Sequence, residues 1–189
     1  MKPGSRAVGI AASDGDREGT PSVLCGAVVR GDRVVDGFSF ARCTVGGTDA
    51  TAAMERLVSA LDREDVQRGL VAGVAPAWFN VVDLDRLARA TARPVVAVSF
   101  EASDGLEPAI REAFTGDARD ERLAVYRSLP PRRAVEVNDE TVFVRSVGCD
   151  DDEAARIVRA FTPEGGRPEP LRVARLAARG VRRLGEADE

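Results

Sequence analysis

Residues 69–83, GLVAGVAPAWFNVVD, open on a short apolar run and close on a segment patterned for a helix. Leu70, Val71, Ala72, Gly73 and Val74 have the length and composition of a strand buried on both faces, as parallel strands are. A second such run, Val95-Val96-Ala97-Val98 behind Pro94, follows a stretch whose pattern predicts a helix from Trp78 to about Ala92. Strand, helix and strand in that order place helices on the face of a sheet with a parallel part. In open sheets of this kind ligands bind in the crevice outside the carboxyl ends of the strands. Trp78, the only tryptophan, falls at that end with Phe79, Asn80 and Asp83. It is either a core residue steering the helix onto the sheet or an aromatic face turned to the crevice.

The flanking segments extend the pattern. Ala7 to Ala12 reads as a first strand, followed by a polar loop. Residues 23–30 and 33–44 are β-rich and meet at Gly31-Asp32, which predicts an antiparallel meander. Gly46-Gly47-Thr48-Asp49-Ala50-Thr51 comes next, with Thr48 or Asp49 placed to cap a helix running to about Glu64. Two short helices over residues 105–114 and 117–126 precede a hairpin turned at Asn138-Asp139. Four acids at 150–153 open a further helix, where they complement the helix dipole rather than form a metal site. A basic helix from about Pro168 to Leu184 closes the chain. The order β-β-β-α-β-α-β-α, then a hairpin and helices, is that of the ribonuclease H-like fold among a few other topologies. The expectation is therefore an α/β protein with a mixed sheet, the meander first and the parallel strands after it. At 189 residues it is read as a single domain spanning 1–189.

Composition limits the chemistry. There is no histidine, which removes Ser-His-Asp and Cys-His catalysis and histidine-ligated zinc. Cys25, Cys43 and Cys149 are too far apart for a zinc or redox motif and read as small core residues. Lys2 is the only lysine, so the positive charge is almost all arginine; at a net charge of −4, any nucleic-acid surface must be a local patch. No apolar run approaches a membrane span, and residues 1–10 lack a signal-peptide core, which predicts a cytoplasmic protein.

Five segments in order, GGTDAT (46–51), VAGVAPAWFNVVD (71–83), RPVVAVSFE (93–101), VFVRSVGCDDDEAARIV (142–158) and PEPLRVARLAARG (168–180), resemble the archaeal domain of unknown function 99 family. That family is related to endonuclease V and includes proteins described as endonuclease dU; the closing PEP-x-R-x-A pattern is shared with endonuclease V. The resemblance implies a ribonuclease H-like fold and a nuclease-type site in which carboxylates gather around Mg²⁺ or Mn²⁺. It further implies a nucleic-acid partner, DNA with deaminated bases, and an Mg²⁺-dependent phosphodiesterase activity.

Carried over position by position, Asp49 of GGTDAT is the metal ligand the resemblance implies most directly; the plain alternative is a helix N-cap. Asp83 either reaches the site or serves the start of its own helix. The family's first-strand acid falls at Ala12, with Asp14 two residues on as a substitute, and a two-residue shift along a strand moves a group roughly 7 Å. The acids that endonuclease V carries on the central strand and after PEP-x-R-x-A fall at Gly73 and Arg175. Arginine cannot ligate a cation, so Arg175 either clamps a phosphate or pairs with Glu169. Arg172, Arg175 and Arg179 share a helical face, and Arg132 and Arg133 follow Pro130-Pro131; both groups suit a phosphate backbone. Trp78 and Asn80 complete the expected nucleic-acid contacts, Trp78 by stacking on an extruded base. The readings left open are a nuclease with an incomplete carboxylate site (Asp49, Asp83, Asp14), a degenerate nuclease fold that binds without cleaving, and a binding module for another ligand.

Overall fold

The computed structural model describes residues 4–13, 15 and 17–187. β1 (Arg6–Ala12), β2 (Pro21–Arg30) and β3 (Val35–Thr44) form the expected antiparallel meander, with Val8 opposite Val28 and Leu24 opposite Ala41. α1 (Ala50–Leu61) then leads to β4 (Val66–Ala72), which pairs parallel with β1. A short turn, α2 (Pro76–Phe79), and a helix, α3 (Leu84–Thr91), return the chain to β5 (Val95–Ser99), parallel to β4 with Gly69 opposite Val95. After α4 (Glu107–Ala113) and α5 (Gly116–Ser128), the hairpin β6 (Arg133–Val137) and β7 (Glu140–Val147) joins β5 antiparallel. α6 (Asp151–Ala160) and α7 (Glu169–Ala187) follow. The seven-stranded sheet has the order β3-β2-β1-β4-β5-β7-β6.

Strand alternation decides which helices lie on which face. Val8, Ile10 and Val71 point to the side covered by α1, α3, α4 and α5, where they meet Met54, Leu57, Leu87, Ile110 and Leu123. Leu70, Val96 and Val98 point to the opposite side and pack with Ile157, Val158 and Leu171 of α6 and α7. On that side β1 presents only Ala7, Gly9 and Ala11. These small residues let α7 lie almost on the sheet backbone: a Cβ at Gly9 would fall 2.3 Å from the Pro170 carbonyl carbon. Cys25 and Cys43 are buried, and burial pushes both thiols up to about 12, as suits packing residues. No helix among the described residues is long and apolar enough to cross a membrane.

One element departs from the sequence pattern. The helix expected from Trp78 starts at Leu84, with Asp83 as its N-cap. Residues 81 and 82 are buried instead by an extended segment in which Val82 N–H donates to the Val74 carbonyl at 2.8 Å. Before it, Ala77, Trp78 and Phe79 all hold positive φ, at 48°, 54° and 57°. Each such residue costs about 1–2 kcal/mol for an L-amino acid, so tertiary packing must hold the turn.

Candidate functional site

The loop 44–49 and the turn 76–80 are built against each other at the carboxyl ends of β3 and β4. Gly46 N–H donates to the Ala77 carbonyl at 2.8 Å, and the Trp78 ring lies over Gly46. A Cβ on Gly46 would meet that ring at 2.7 Å, and its φ of 72° favours glycine as well. Trp78 touches Phe114 at 5.0 Å between ring centroids and Phe79 at 6.0 Å, yet 41% of it stays exposed. The packing holds the left-handed turn and leaves an indole face to solvent.

Asp49 occupies the N-cap position of α1, but its side chain does not take the cap. Asn80 does: its Oδ1 accepts from Ala50 N–H at 2.9 Å. The Asn80 amide nitrogen donates to Asp49 Oδ1 at 2.7 Å and to the Thr44 carbonyl at 2.9 Å. Thr44 adds its N–H to Asp49 Oδ1 at 2.9 Å and its hydroxyl to Oδ2 at 3.0 Å. Asn80 is fully buried and its amide is spent within the protein. Within the fold this amide positions Asp49.

Burial opposes the Asp49 charge, but the hydrogen bonds from Thr44 and Asn80 outweigh it and hold the carboxyl below its usual range. A depressed folded pKa contributes stability that is fully present above the unfolded value of about 3.9 and is lost as pH falls through the folded value. Below pH ~4, the melting temperature of the wild type should fall more steeply with acidification than that of Asp49→Asn. Parallel slopes in a calorimetric pH series would contradict this hydrogen-bond set.

Arg122 props the loop from behind. It is 5% exposed, lies 3.9 Å over Phe114, and donates to the Gly46 carbonyl and to Gly47 O at 3.2 Å. Burial lowers its pKa, and its buried Nε has no hydrogen-bond partner among the described residues. Neither sequence motif nor spacing pointed to this residue.

Asp83 spends Oδ1 on Arg86 N–H at 2.8 Å, and its own N–H donates to Thr51 Oγ1 at 3.0 Å. That is the helix-start alternative. Asp14 lies outside the described residues. Ala12 ends β1 with a methyl group where the resemblance places an acid. Among the described residues, no three His, Cys, Asp or Glu side chains are grouped to hold a metal. Around Asp49 the neighbours are an amide nitrogen, a backbone N–H and a hydroxyl, all donating to it. Among the described residues this donor set offers a single carboxylate, whereas Mg²⁺ or Mn²⁺ takes several oxygen ligands.

A cleft of about 640 Å³ opens at the carboxyl ends of β4 and β5, lined at its base by Gly73, Val74 and Ala75, which run directly into the Trp78 turn. Its walls carry Arg132, Arg145, Arg167, Arg172, Arg175 and Arg179. The three α7 arginines expected on one face are all present. Arg172 is paired with Glu169 by two bonds of 2.7 and 2.6 Å. Arg132 stacks 3.9 Å over Phe143 and bonds to the carbonyls of Ser103, at 2.7 Å, and Glu101. Arg133, by contrast, is absent from the lining and sits 3.2 Å from Asp151 on the outer surface. Sequence reading had not singled out Arg145 and Arg167, because hairpin and loop arginines carry no spacing signal.

The family model for endonuclease dU matches residues 3–182. A UPF0215 protein of Thermococcus kodakarensis is 38% identical over 162 residues, covering 85% of this chain and 81% of that protein. A UPF0215 protein of Pyrobaculum aerophilum is 34% identical, covering 86% and 87%. Among solved structures, a protein of unknown function from Archaeoglobus fulgidus superposes with a TM-score of 0.81 at 26% identity, covering 93% of this chain and 97% of that one. Human endonuclease V gives 0.66 at 16% identity, covering 96% and 86%. Endonuclease V of Ciona intestinalis, in complex with a 24-mer DNA containing an inosine, gives 0.64 at 14% identity, covering 95% and 87%. The sheet order and these likenesses make the fold ribonuclease H-like, of the endonuclease V kind.

Proposed function

The chain belongs to the endonuclease dU family, and from that premise we propose that it is a nuclease-type protein that acts on deaminated DNA. The observation that carries this reading is the arginine-walled cleft at the carboxyl ends of β4 and β5. Six guanidinium groups stand there in a chain whose net charge is −4. Such a local patch attracts and orients a phosphate backbone despite the overall charge. Asp49, ionised and held by Thr44 and Asn80, is the carboxylate available for the chemistry. The exposed Trp78 face is available to stack on an extruded base. The inosine-containing DNA held by the Ciona relative supports a damaged-DNA partner for this chain.

A second reading, binding without cleavage, is favoured by Ala12 and Arg175 standing where carboxylates are expected. One experiment separates the two. Oligonucleotides carrying deoxyuridine or deoxyinosine are incubated with the protein in Mg²⁺, Mn²⁺ or EDTA, beside Asp49→Ala. Nicking that falls on the order of 10²-fold or more in the variant, the scale of losing one transition-state charge contact, supports the nuclease. Binding without nicking supports the second reading, and the absence of both would discard the two together.

A further inference from the structure

β3 forms one border of the sheet, and among the described residues no strand pairs with its outer side. An open border exposes a row of backbone N–H and C=O groups, which proteins normally blunt with short strands, charged side chains or proline. The other border strand, β6, follows that rule: it has five residues, with Arg133 and Glu136 among them. β3 does not. It runs for ten residues, against a usual strand length of about 5–6, and its middle, Gly37-Phe38-Ser39-Phe40-Ala41, holds no charge.

The same strand carries an apolar face. Phe38 and Phe40 lie opposite Ala27 and Cys25 of β2, on the side of the sheet where those two residues meet Ala174 and Ala178 of α7. α7 covers β1 and β2 and leaves Phe38 48% and Phe40 45% exposed, their rings stacked with centroids 6.2 Å apart. Val35, opposite Val29 and also exposed, extends the face along the strand. Helical spacing puts Val173, Ala177, Val181 and Leu184 on the flank of α7 turned away from Arg172, Leu176 and Arg179 in the cleft wall, and so towards β3. Val181 and Leu184 are exposed there. Apart from Val34 at the adjoining turn, the other large exposed apolar side chains of the described residues lie at the cleft: Leu176 in its wall and Trp78 beside it.

We propose that the β3 border and this face form the seam of a two-fold dimer, in which a second copy of the chain continues the sheet. A two-fold antiparallel pairing keeps the phenylalanines of both copies on one face, and a register centred on Ser39 sets Phe38 of each copy opposite Phe40 of the other. Four rings then close over the seam, flanked by α7 of each copy. The area agrees with this. At roughly half exposure each ring offers on the order of 100 Å². Val35, Val181 and Leu184 bring the patch to about 400 Å² per copy, within the ~300–600 Å² of the largest patches on monomers, which are often functional. Burying it from both copies, together with the strand edges, reaches the ~1,000 Å² that a specific interface needs. A nucleic-acid backbone is a poorer occupant, because residues 37–41 offer its phosphates no cation. The cleft lies across α7 from the seam, so each copy keeps its own cleft open.

Sedimentation velocity of the full chain across about 1–100 µM should show a species of twice the 20.1 kDa chain mass that grows with concentration. Hydrogen exchange at the two ends of that range should slow in residues 37–41 at the higher concentration, because their outward amides become paired. Phe38→Glu and Phe40→Glu should each weaken the dimer by roughly thirty-fold or more, the scale of an interface hot spot. Ala134→Glu, on the exposed β6 border, should leave it unchanged. Melting curves establish that the variants fold, and exchange in the wild type tests the seam even where a variant does not. Dimer lost in both phenylalanine variants, with residues 37–41 protected in the wild type, supports the seam. A chain that stays monomeric throughout overturns it, as does a dimer that folded Phe38→Glu and Phe40→Glu leave intact, or one whose 37–41 amides exchange at the same rate. A monomer that binds a deoxyuridine-containing oligonucleotide through Phe38 and Phe40 overturns it too and gives the face to nucleic acid. Nicking enters none of these outcomes, so the seam stands or falls apart from the nuclease.

Discussion

Alanine at position 9 should lower the melting temperature by about 6–12 °C, although it adds a single methyl group. The added Cβ would meet the Pro170 carbonyl carbon, carbonyl oxygen and Cβ at 2.3, 2.4 and 2.5 Å, distances that no real contact tolerates. Two of those atoms are backbone, so no rotamer change relieves the clash. β1 cannot retreat, because it is paired with β2 on one side and β4 on the other. α7 must lift, which loosens Leu171, Ala174 and Ala178 from the sheet. Overpacking of this kind costs about 3 kcal/mol at the upper end of its usual range, and each kcal/mol moves a protein of this size by about 2–4 °C. The control is Gly180→Ala on α7, where nothing lies within 4 Å of the new Cβ. There, helix propensity predicts a gain of about 0.8–1 kcal/mol. Thermal denaturation followed by circular dichroism reads both; a Gly9→Ala protein that melts with the wild type would mean that α7 is not seated as described.

Asn80→Ala should cost about 3 kcal/mol and weaken any activity that depends on Asp49. The amide joins three separate pieces of chain: the Ala50 N–H, the Thr44 carbonyl and the Asp49 carboxylate. Removing it leaves the first turn of α1 uncapped and buried polar groups unpaired, each worth about 1–3 kcal/mol. It also removes one of the hydrogen bonds holding the Asp49 pKa down, so that value should rise. Asn80→Asp separates packing from charge. Two carboxylates at this spacing cannot both ionise, so one folded pKa is raised above its unfolded value. The folded state then binds more protons than the unfolded one, and stability falls as pH rises from ~4 to ~7. Urea midpoints across that range should decline for Asn80→Asp while those of Asn80→Ala stay lower than wild type and flat. A flat profile for Asn80→Asp would show that residue 80 does not face Asp49.

Much of this molecule could be read without coordinates. The apolar run at 95–98 became most of β5 and that at 70–74 marked the end of β4, which starts earlier, at Val66, and stops at Ala72; the meander paired as its turn at Gly31-Asp32 implied, and the acids at 150–153 opened α6 with Asp150 as its cap. Each is a local property: strand composition, turn chemistry and helix capping depend on residues close in sequence. The α7 arginines were legible for the same reason, since a spacing of three and four sets one face of a helix. The helix misplaced at Trp78 shows the limit. Trp78 to Val82 carry apolar residues at spacings a helix could use, yet three left-handed residues bend them around Gly46 and only Leu84 begins the helix. That outcome depends on Phe114, which is 36 residues away.

The sequence by itself determined the fold class, the order of elements along the chain, the chemistry excluded by the lack of histidine, and, through its family resemblance, Asp49 as the carboxylate of interest. Only the tertiary structure decided how that carboxylate is held. It turned Asp49 away from its own helix and gave the cap to Asn80, 31 residues on. It set Arg122 beneath the loop and gathered arginines from β7, α7 and the connecting loops around one cleft. The physical reason is range. Hydrophobic periodicity and capping act within a few residues. Hydrogen bonds to a buried amide, and the field of converging guanidinium groups, depend on distances that exist only after the sheet has brought distant segments together.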